Sequence, residues 1–231
     1  MPSDPIVAAD LDELARVAAA WMAEEIRQAV ARGGRCAFAL SGGSTPRPAY
    51  ERLALEPAVP WHGVEVYFGD ERAVPPTDPE SNYRMAREAL LDRAGLPAGR
   101  VHPMEADDPD LEAAAARYEA LLPERLDVLV LGMGADGHTA SLFPGSPLLR
   151  ETRRRVAPAR GPVPPIHRLT ITPAVIAAAR RVAVITAGAV KAPVVARVRQ
   201  GPWRPEELPA QLARDGTWII DHAAGSALAS R

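Results

Sequence analysis

Val128-Leu129-Val130-Leu131-Gly132-Met133-Gly134-Ala135-Asp136-Gly137-His138-Thr139-Ala140-Ser141-Leu142-Phe143-Pro144-Gly145 is the stretch on which the reading of this chain turns. Its apolar opening fits a strand buried on both faces, as in a parallel sheet. A glycine-rich turn ends that strand and delivers one acid, Asp136, and one imidazole, His138, to an open position. Open α/β sheets bind their ligands at such carboxyl ends of strands. A histidine placed there can take or give a proton near neutral pH.

The same alternation extends outward in both directions. Asp10 and Glu13 read as a capping box, followed by Leu11, Leu14, Ala15, Ala18, Met22, Ile26, Ala29 and Val30 at helical spacing, with Gly33-Gly34 as the stop. Strands are expected at 37–40, 64–68, 126–131, 168–171, 182–186 and 218–220. Helices are expected through Tyr50 and Leu53, from Pro79, over 109–122, 173–179 and 189–198, and briefly after Asp221. Strands and helices alternating in this way predict an α/β fold, a mostly parallel, doubly wound Rossmann-like sheet with helices on both faces. One domain over 1–231 is expected. Segment 152–165, with Arg153-Arg154-Arg155 and four prolines, reads as a solvated surface connection, or alternatively as a wall or lid over the site.

Bulk composition narrows the function classes. The 231 residues are 47% hydrophobic and 24% charged, ordinary for a globular chain able to bury a full core. A net charge of −2 leaves no general polyanion-binding surface, so an anionic ligand must be met by a few local groups. The single cysteine, Cys36, rules out an intrachain disulfide framework and a multi-cysteine zinc site, and its place in a strand reads as a small buried hydrophobe. Met1-Pro2-Ser3-Asp4 lacks the basic and apolar regions of a secretory signal. The longest apolar stretch, 174–190, is cut by Arg180-Arg181, too short to span a bilayer. A cytoplasmic protein with no nucleic-acid or membrane partner is expected.

Four places could carry chemistry. Ser41-Gly42-Gly43-Ser44-Thr45-Pro46 lies between a strand and a helix; glycines there allow close backbone approach, and free N–H groups favour an anion, although an ordinary capped turn has the same composition. It is not a P-loop, lacking the Gly-Lys-Ser/Thr ending. Asp70-Glu71-Arg72 follows another strand, with at least one member facing the site and the others in a salt bridge or cap. Asp136-Gly137-His138 supplies the best general base, with the carboxylate able to orient the imidazole. Arg168 and Lys191 lie near late element boundaries, either solvated or converging on the glycine loop to hold a phosphate. His62, His102, His167 and His222 read as surface or structural, with His167, just before a strand, alternatively lining the site. Gly132-x-Gly134-x-x-Gly137 matches a dinucleotide fingerprint literally, but Phe143-Pro144-Gly145 would break the required helix at once. No metal-ligand spacing such as His-Glu-x-x-His occurs, so no catalytic metal is expected.

Taken together these blocks resemble the 6-phosphogluconolactonases, which share their fold with the glucosamine-6-phosphate deaminase/isomerases. The similarity is carried, in order, by Leu40 to Pro46, Phe68-Gly69-Asp70-Glu71-Arg72-Ala73-Val74-Pro75, Ser81-Asn82-Tyr83-Arg84-Met85-Ala86, Gly132 to Gly145, Arg168-Leu169-Thr170-Ile171-Thr172 and Gly188-Ala189-Val190-Lys191-Ala192. Ser141-Leu142-Phe143-Pro144-Gly145 sets the lactonase pattern apart from the deaminases. The residues before Lys191 depart from the family pattern, which often has a second glycine or an acid there.

The resemblance implies hydrolysis of 6-phosphoglucono-δ-lactone to 6-phosphogluconate in the oxidative pentose phosphate pathway, without a cofactor. It implies a small-molecule substrate as partner; a monomer or small homo-oligomer is expected. Under it, His138 is the base, Asp136 its orienting acid, Arg72 or backbone N–H groups the oxyanion donor, and Asp70 a further catalytic candidate. Gly42, Gly43, Ser44, Thr45, Arg168 and Lys191 hold the phosphate. Two rivals remain: an amino-sugar-phosphate deaminase or isomerase using Asp70 to move a proton, and a non-catalytic sugar-phosphate sensor.

Overall fold

A computed structural model describes residues 3–229. Met1 and Pro2, half of the tetrapeptide read for a secretory signal, lie outside the described residues, as do 230 and 231. Six parallel strands form the central sheet in the order β1-β9-β8-β5-β2-β3. They are β1 (Ile6–Ala8), β2 (Cys36–Leu40), β3 (Val64–Phe68), β5 (Val128–Leu131), β8 (Arg181–Thr186) and β9 (Thr217–Asp221). All four residues of β5 are wholly buried, the mark of a strand covered on both faces. The helices that cover the sheet are α1 (Leu11–Gly33), α2 (Arg47–Leu53), α3 (Asn82–Ala86), α4 (Leu111–Leu121), α5 (Pro173–Ala178), α6 (Ala192–Gln200) and α7 (His222–Gly225).

Helix α1 shows how local chemistry sets an element. Asp10 accepts from Glu13 N at 2.8 Å, Glu13 reaches back to Ala9 N at 2.8 Å, and Gly34 closes the helix at φ +73°. Its inner face (Leu14, Ala15, Ala18, Met22, Ile26) packs into a core continuous with β2, β5 and β9.

Several expectations are corrected. The edge strand β1 was not expected; only three residues long and two of them exposed, it has no period to read. Pro79 does not open a helix. It lies in a turn where Ser81 N bonds Asp78 O, and α3 starts one residue past Ser81, whose Oγ accepts from Arg84 N at 3.1 Å. Segment 152–165 is a solvated connection only in part: its flanks are exposed or half-buried, but it contains β6 (Val156–Arg160), with Val156 and Ala157 buried. Strand β6 pairs antiparallel with β7 (His167–Ile171), and β7 with β4 (Asp70–Arg72), as a separate three-stranded sheet.

This topology positions the site. The chain runs from β2 to β3 in one direction across the main sheet and from β5 through β8 to β9 in the other. The crevice between the carboxyl ends of β2 and β5 is therefore the topological switch point, where open sheets bind ligands. Here the small sheet closes one side of it.

Candidate active site

The loop after β2 is pinned from beneath. The wholly buried Tyr50 hydroxyl donates to Ser41 O and accepts from Ser41 N, both at 3.0 Å, and burial pushes its pKa up. Gly43 sits at φ +100°, and a Cβ on Gly42 would lie 1.9 Å from the Asn82 amide oxygen. The amides of Gly42, Gly43, Ser44 and Thr45 donate to no protein acceptor among the described residues, leaving them for an anion.

The loop after β5 holds an imidazole and a carboxylate in direct contact. His138 Nδ1 is 2.6 Å from Asp136 Oδ1, which also accepts from His138 N at 3.1 Å. An ionised carboxylate only accepts, so Nδ1 carries the proton and Nε2 is left as the basic atom. The same bond holds the Asp136 carboxyl below its usual range. A Cβ on Gly134 would strike the His138 ring at 2.2 Å, so glycine is required for this close approach. The ring leans on Phe143, with centroids 4.7 Å apart. Ala140 takes a left-handed φ of +47°, a strained position at the cavity wall.

The small sheet supplies the cations. Asp70 lies opposite Thr170 and Arg72 opposite Arg168, so these four share one face while Glu71 points away. Glu71 is buried and caps α3 by accepting from Asn82 N and Tyr83 N, both at 2.7 Å, and from Ser81 Oγ at 3.0 Å. Of the three charged residues, Asp70 and Arg72 line the cavity and Glu71 caps a helix. Asp70, 7% exposed, accepts from Ser141 Oγ at 2.6 Å and from Asn82 Nδ2 at 3.2 Å. Arg72 donates to Glu80 O, and its buried Nε has no partner. Arg168 donates to Pro165 O at 3.1 Å and lies over the Phe143 ring. Burial lowers its pKa, with Asp70 acting the other way. Two arginines directly opposite in a ladder repel each other unless an anion lies near them.

Lys191 comes from the turn after β8. Gly188 enters that turn at φ +98°, its N–H held by the Asp221 carboxylate at 2.9 Å. Desolvation depresses the Lys191 pKa, and Asp221 opposes it.

One cavity of about 200 Å³ gathers Gly42, Gly43, Ser44, Thr45, Asp70, Arg72, His138, Arg168 and Lys191. Asp136 stands behind His138 rather than in the wall. Segment 152–165 contributes nothing to the lining; its part is Pro165 O under Arg168. None of His62, His102, His167 and His222 reaches the cavity; His102 stacks on Tyr67 and bonds Glu65. Among the described residues no three His, Cys, Asp or Glu side chains gather closely enough to hold a metal ion. Sequence reasoning assigned no role to Asn82 and Ser141, which hold Asp70. Their one signal was membership in the family-like blocks, since neither residue type implies a ligand.

A Rossmann-like α/β protein whose cavity joins an oriented imidazole to two arginines, a lysine and unpaired loop amides is the class that fold and site define. The profile of the family described as glucosamine-6-phosphate isomerases/6-phosphogluconolactonase matches residues 9–220, and the chain belongs to that family. It is 38% identical over 216 residues to a 6-phosphogluconolactonase of Synechocystis, covering 88% of this chain and 89% of the relative. It is 39% identical over 245 residues to one of Streptomyces coelicolor, covering 96% and 94%. The 6-phosphogluconolactonase structure from Trypanosoma brucei superimposes with a TM-score of 0.86 at 30% identity, over 98% of this chain and 99% of that one. No helix among the described residues is long and apolar enough to cross a membrane.

Proposed function

We propose that this chain is a 6-phosphogluconolactonase, hydrolysing 6-phosphoglucono-δ-lactone to 6-phosphogluconate in the oxidative pentose phosphate pathway. The observation that carries the reading is the imidazole with Nδ1 committed to Asp136 and Nε2 open to a pocket of cations and unpaired amides. Arg168, Lys191 and the amides of 42–45 take the 6-phosphate, which orients the lactone carbonyl at the far end. His138 Nε2 removes a proton from the attacking water, and Asp136 stabilises the imidazolium that forms. A positioned base of this kind contributes about 10²–10⁴-fold. Arg72, which lines the cavity, meets the tetrahedral oxyanion. The imidazolium then returns its proton to the departing ring oxygen.

In this reading Asp70 is a fixed anion rather than a proton carrier. Both its oxygens accept bonds from buried donors, and it balances Arg72 and Arg168. That arrangement speaks against the deaminase or isomerase alternative, in which Asp70 would move a proton. The whole chain, 1–231, acts as a single cytoplasmic hydrolase domain, monomeric or a small homo-oligomer, with no cofactor and no nucleic-acid or membrane partner. The test follows the disappearance of lactone generated in situ, above spontaneous hydrolysis. The parent accelerates it, and His138→Ala loses turnover while still binding 6-phosphogluconate. A folded parent without acceleration would overturn the proposal and make glucosamine 6-phosphate the next substrate to try.

A further inference from the structure

The turn that carries His138 is held by a segment far from it in sequence. The Gly137 carbonyl accepts from Ala210 N at 2.8 Å, and Gly145 N donates to Glu206 O at 2.8 Å. Leu208, 4% exposed, lies so close that a Cβ on Gly137 would meet its Cδ2 at 2.8 Å. Segment 202–211 therefore holds the 137–145 turn at both ends, with Leu208 packed against Gly137. The two ends of that segment are tied together by one side chain, Gln211, which is 1% exposed. Its amide oxygen accepts from Arg204 N, and its amide nitrogen donates to Pro202 O at 2.8 Å and to Arg197 O at 3.5 Å. Arg197 belongs to α6, the helix that begins one residue after Lys191. Gln211 thus fastens the helix behind the cationic anchor to the segment that grips the imidazole turn, without lining the cavity itself.

We infer that Gln211, acting through segment 202–211, is a positioning residue that sets His138 in register with the cation cluster. The inference rests on the reading of His138 as the base and adds what keeps it in place. A base displaced by about 1 Å can lose 10²-fold in rate, whereas a phosphate anchor made of Arg168, Lys191 and loop amides is untouched. Removing the Gln211 amide should therefore separate turnover from binding.

The variant is Gln211→Met, which keeps the volume and removes all three bonds. Turnover number, KM, product inhibition by 6-phosphogluconate and the His138 Nδ1 proton resonance are measured together. Expected is a fall in kcat of about 10- to 100-fold, with KM and the inhibition constant at parental values and the Nδ1 proton signal broadened by faster exchange. A folded variant with parental kcat and an unchanged signal overturns the inference. So does a parallel loss of kcat and product affinity, which would mean collapse of the whole site. Should Gln211→Met fail to fold, Leu208→Ala removes the contact with Gly137 and carries the same expectations. The resonance needs no turnover, so it decides the positioning role even if the lactone proves not to be the substrate.

Discussion

Replacing Asp136 by Asn tests the proton-transfer reading most directly. Oδ1 of Asp136 lies 2.6 Å from His138 Nδ1, so the positive charge on an imidazolium centres roughly 4 Å from the carboxylate. At that separation the attraction is about 1 kcal/mol in bulk water and about 4 kcal/mol at the effective dielectric of a protein surface. The side chains of His138 and Asp136 are 30% and 44% exposed, so solvent screening favours the lower half of that range. Loss of about 1–2.5 kcal/mol from the charged transition state alone slows turnover about 5- to 70-fold. Asparagine adds a second defect, because its amide group can donate to Nδ1 and stabilise the tautomer with the proton on Nε2. In the serine-protease triad the corresponding change costs about 10⁴ in kcat. Asp136→Asn is therefore expected to be slower than Asp136→Ala, with product inhibition by 6-phosphogluconate unchanged in both. Initial rates on freshly generated lactone, corrected for spontaneous hydrolysis, make the comparison. If Asp136→Asn equals or exceeds Asp136→Ala, Asp136 does not select the tautomer and the argument from the 2.6 Å bond fails.

Arg168→Ala and Lys191→Ala should each raise KM for the phosphorylated lactone by about 10- to 100-fold, the loss of one charged hydrogen bond, and leave unphosphorylated gluconolactone unaffected; equal effects on both substrates would place the phosphate elsewhere. Tyr50→Phe strips the partner from both Ser41 N and Ser41 O in a buried site, so urea unfolding should show a loss of about 1–3 kcal/mol, together with a higher KM. A variant as stable as the parent would mean that water replaces the hydroxyl. Glu151 accepts from Arg153 N, Arg154 N and Arg154 Nε, which together hold its pKa down to about 2. Its folded pKa is depressed, so its contribution to stability is present above the ordinary value of 4.5 and lost as pH falls toward about 2. Carboxyl NMR titration should find it among the last side chains to protonate, and Glu151→Gln should flatten the acid limb of the stability curve; titration near 4.5 would contradict these contacts.

The main sheet was legible because each of its longer strands is an apolar run, and each run precedes a turn with its own chemistry. Val128 to Leu131 followed by glycines, and Asp10 with Glu13 ahead of a 3.6-residue repeat, are signals contained within about a dozen neighbouring residues. The imidazole and its acid were equally legible, since a spacing of two residues within one turn leaves them little choice but to meet. Candidates for the anion pocket could be named from residue type and position at strand ends. Their convergence could not.

That convergence depends on the small antiparallel sheet, in which β7 was legible as a strand but its partners β4 and β6 carry no readable period. Asp-Glu-Arg and Val-Ala-Pro-Ala-Arg look like loop composition, and β4 and β7 join residues about a hundred positions apart. Successive side chains on a strand point to opposite faces, so a register shift of one residue would turn Asp70 and Arg72 away and bring Glu71 inward. Only the pairing of Arg72 with Arg168 and of Asp70 with Thr170 settles which charges face the cavity. The same holds for Ser141 and Asn82 on Asp70, and for Gln211 behind the imidazole turn. Local sequence determined the elements of the main sheet and the meeting of His138 with Asp136, because hydrophobic period and turn chemistry act over a few residues. Tertiary structure decided the cation cluster and the fastening of the base, because both are made by contacts between segments with no common local signal.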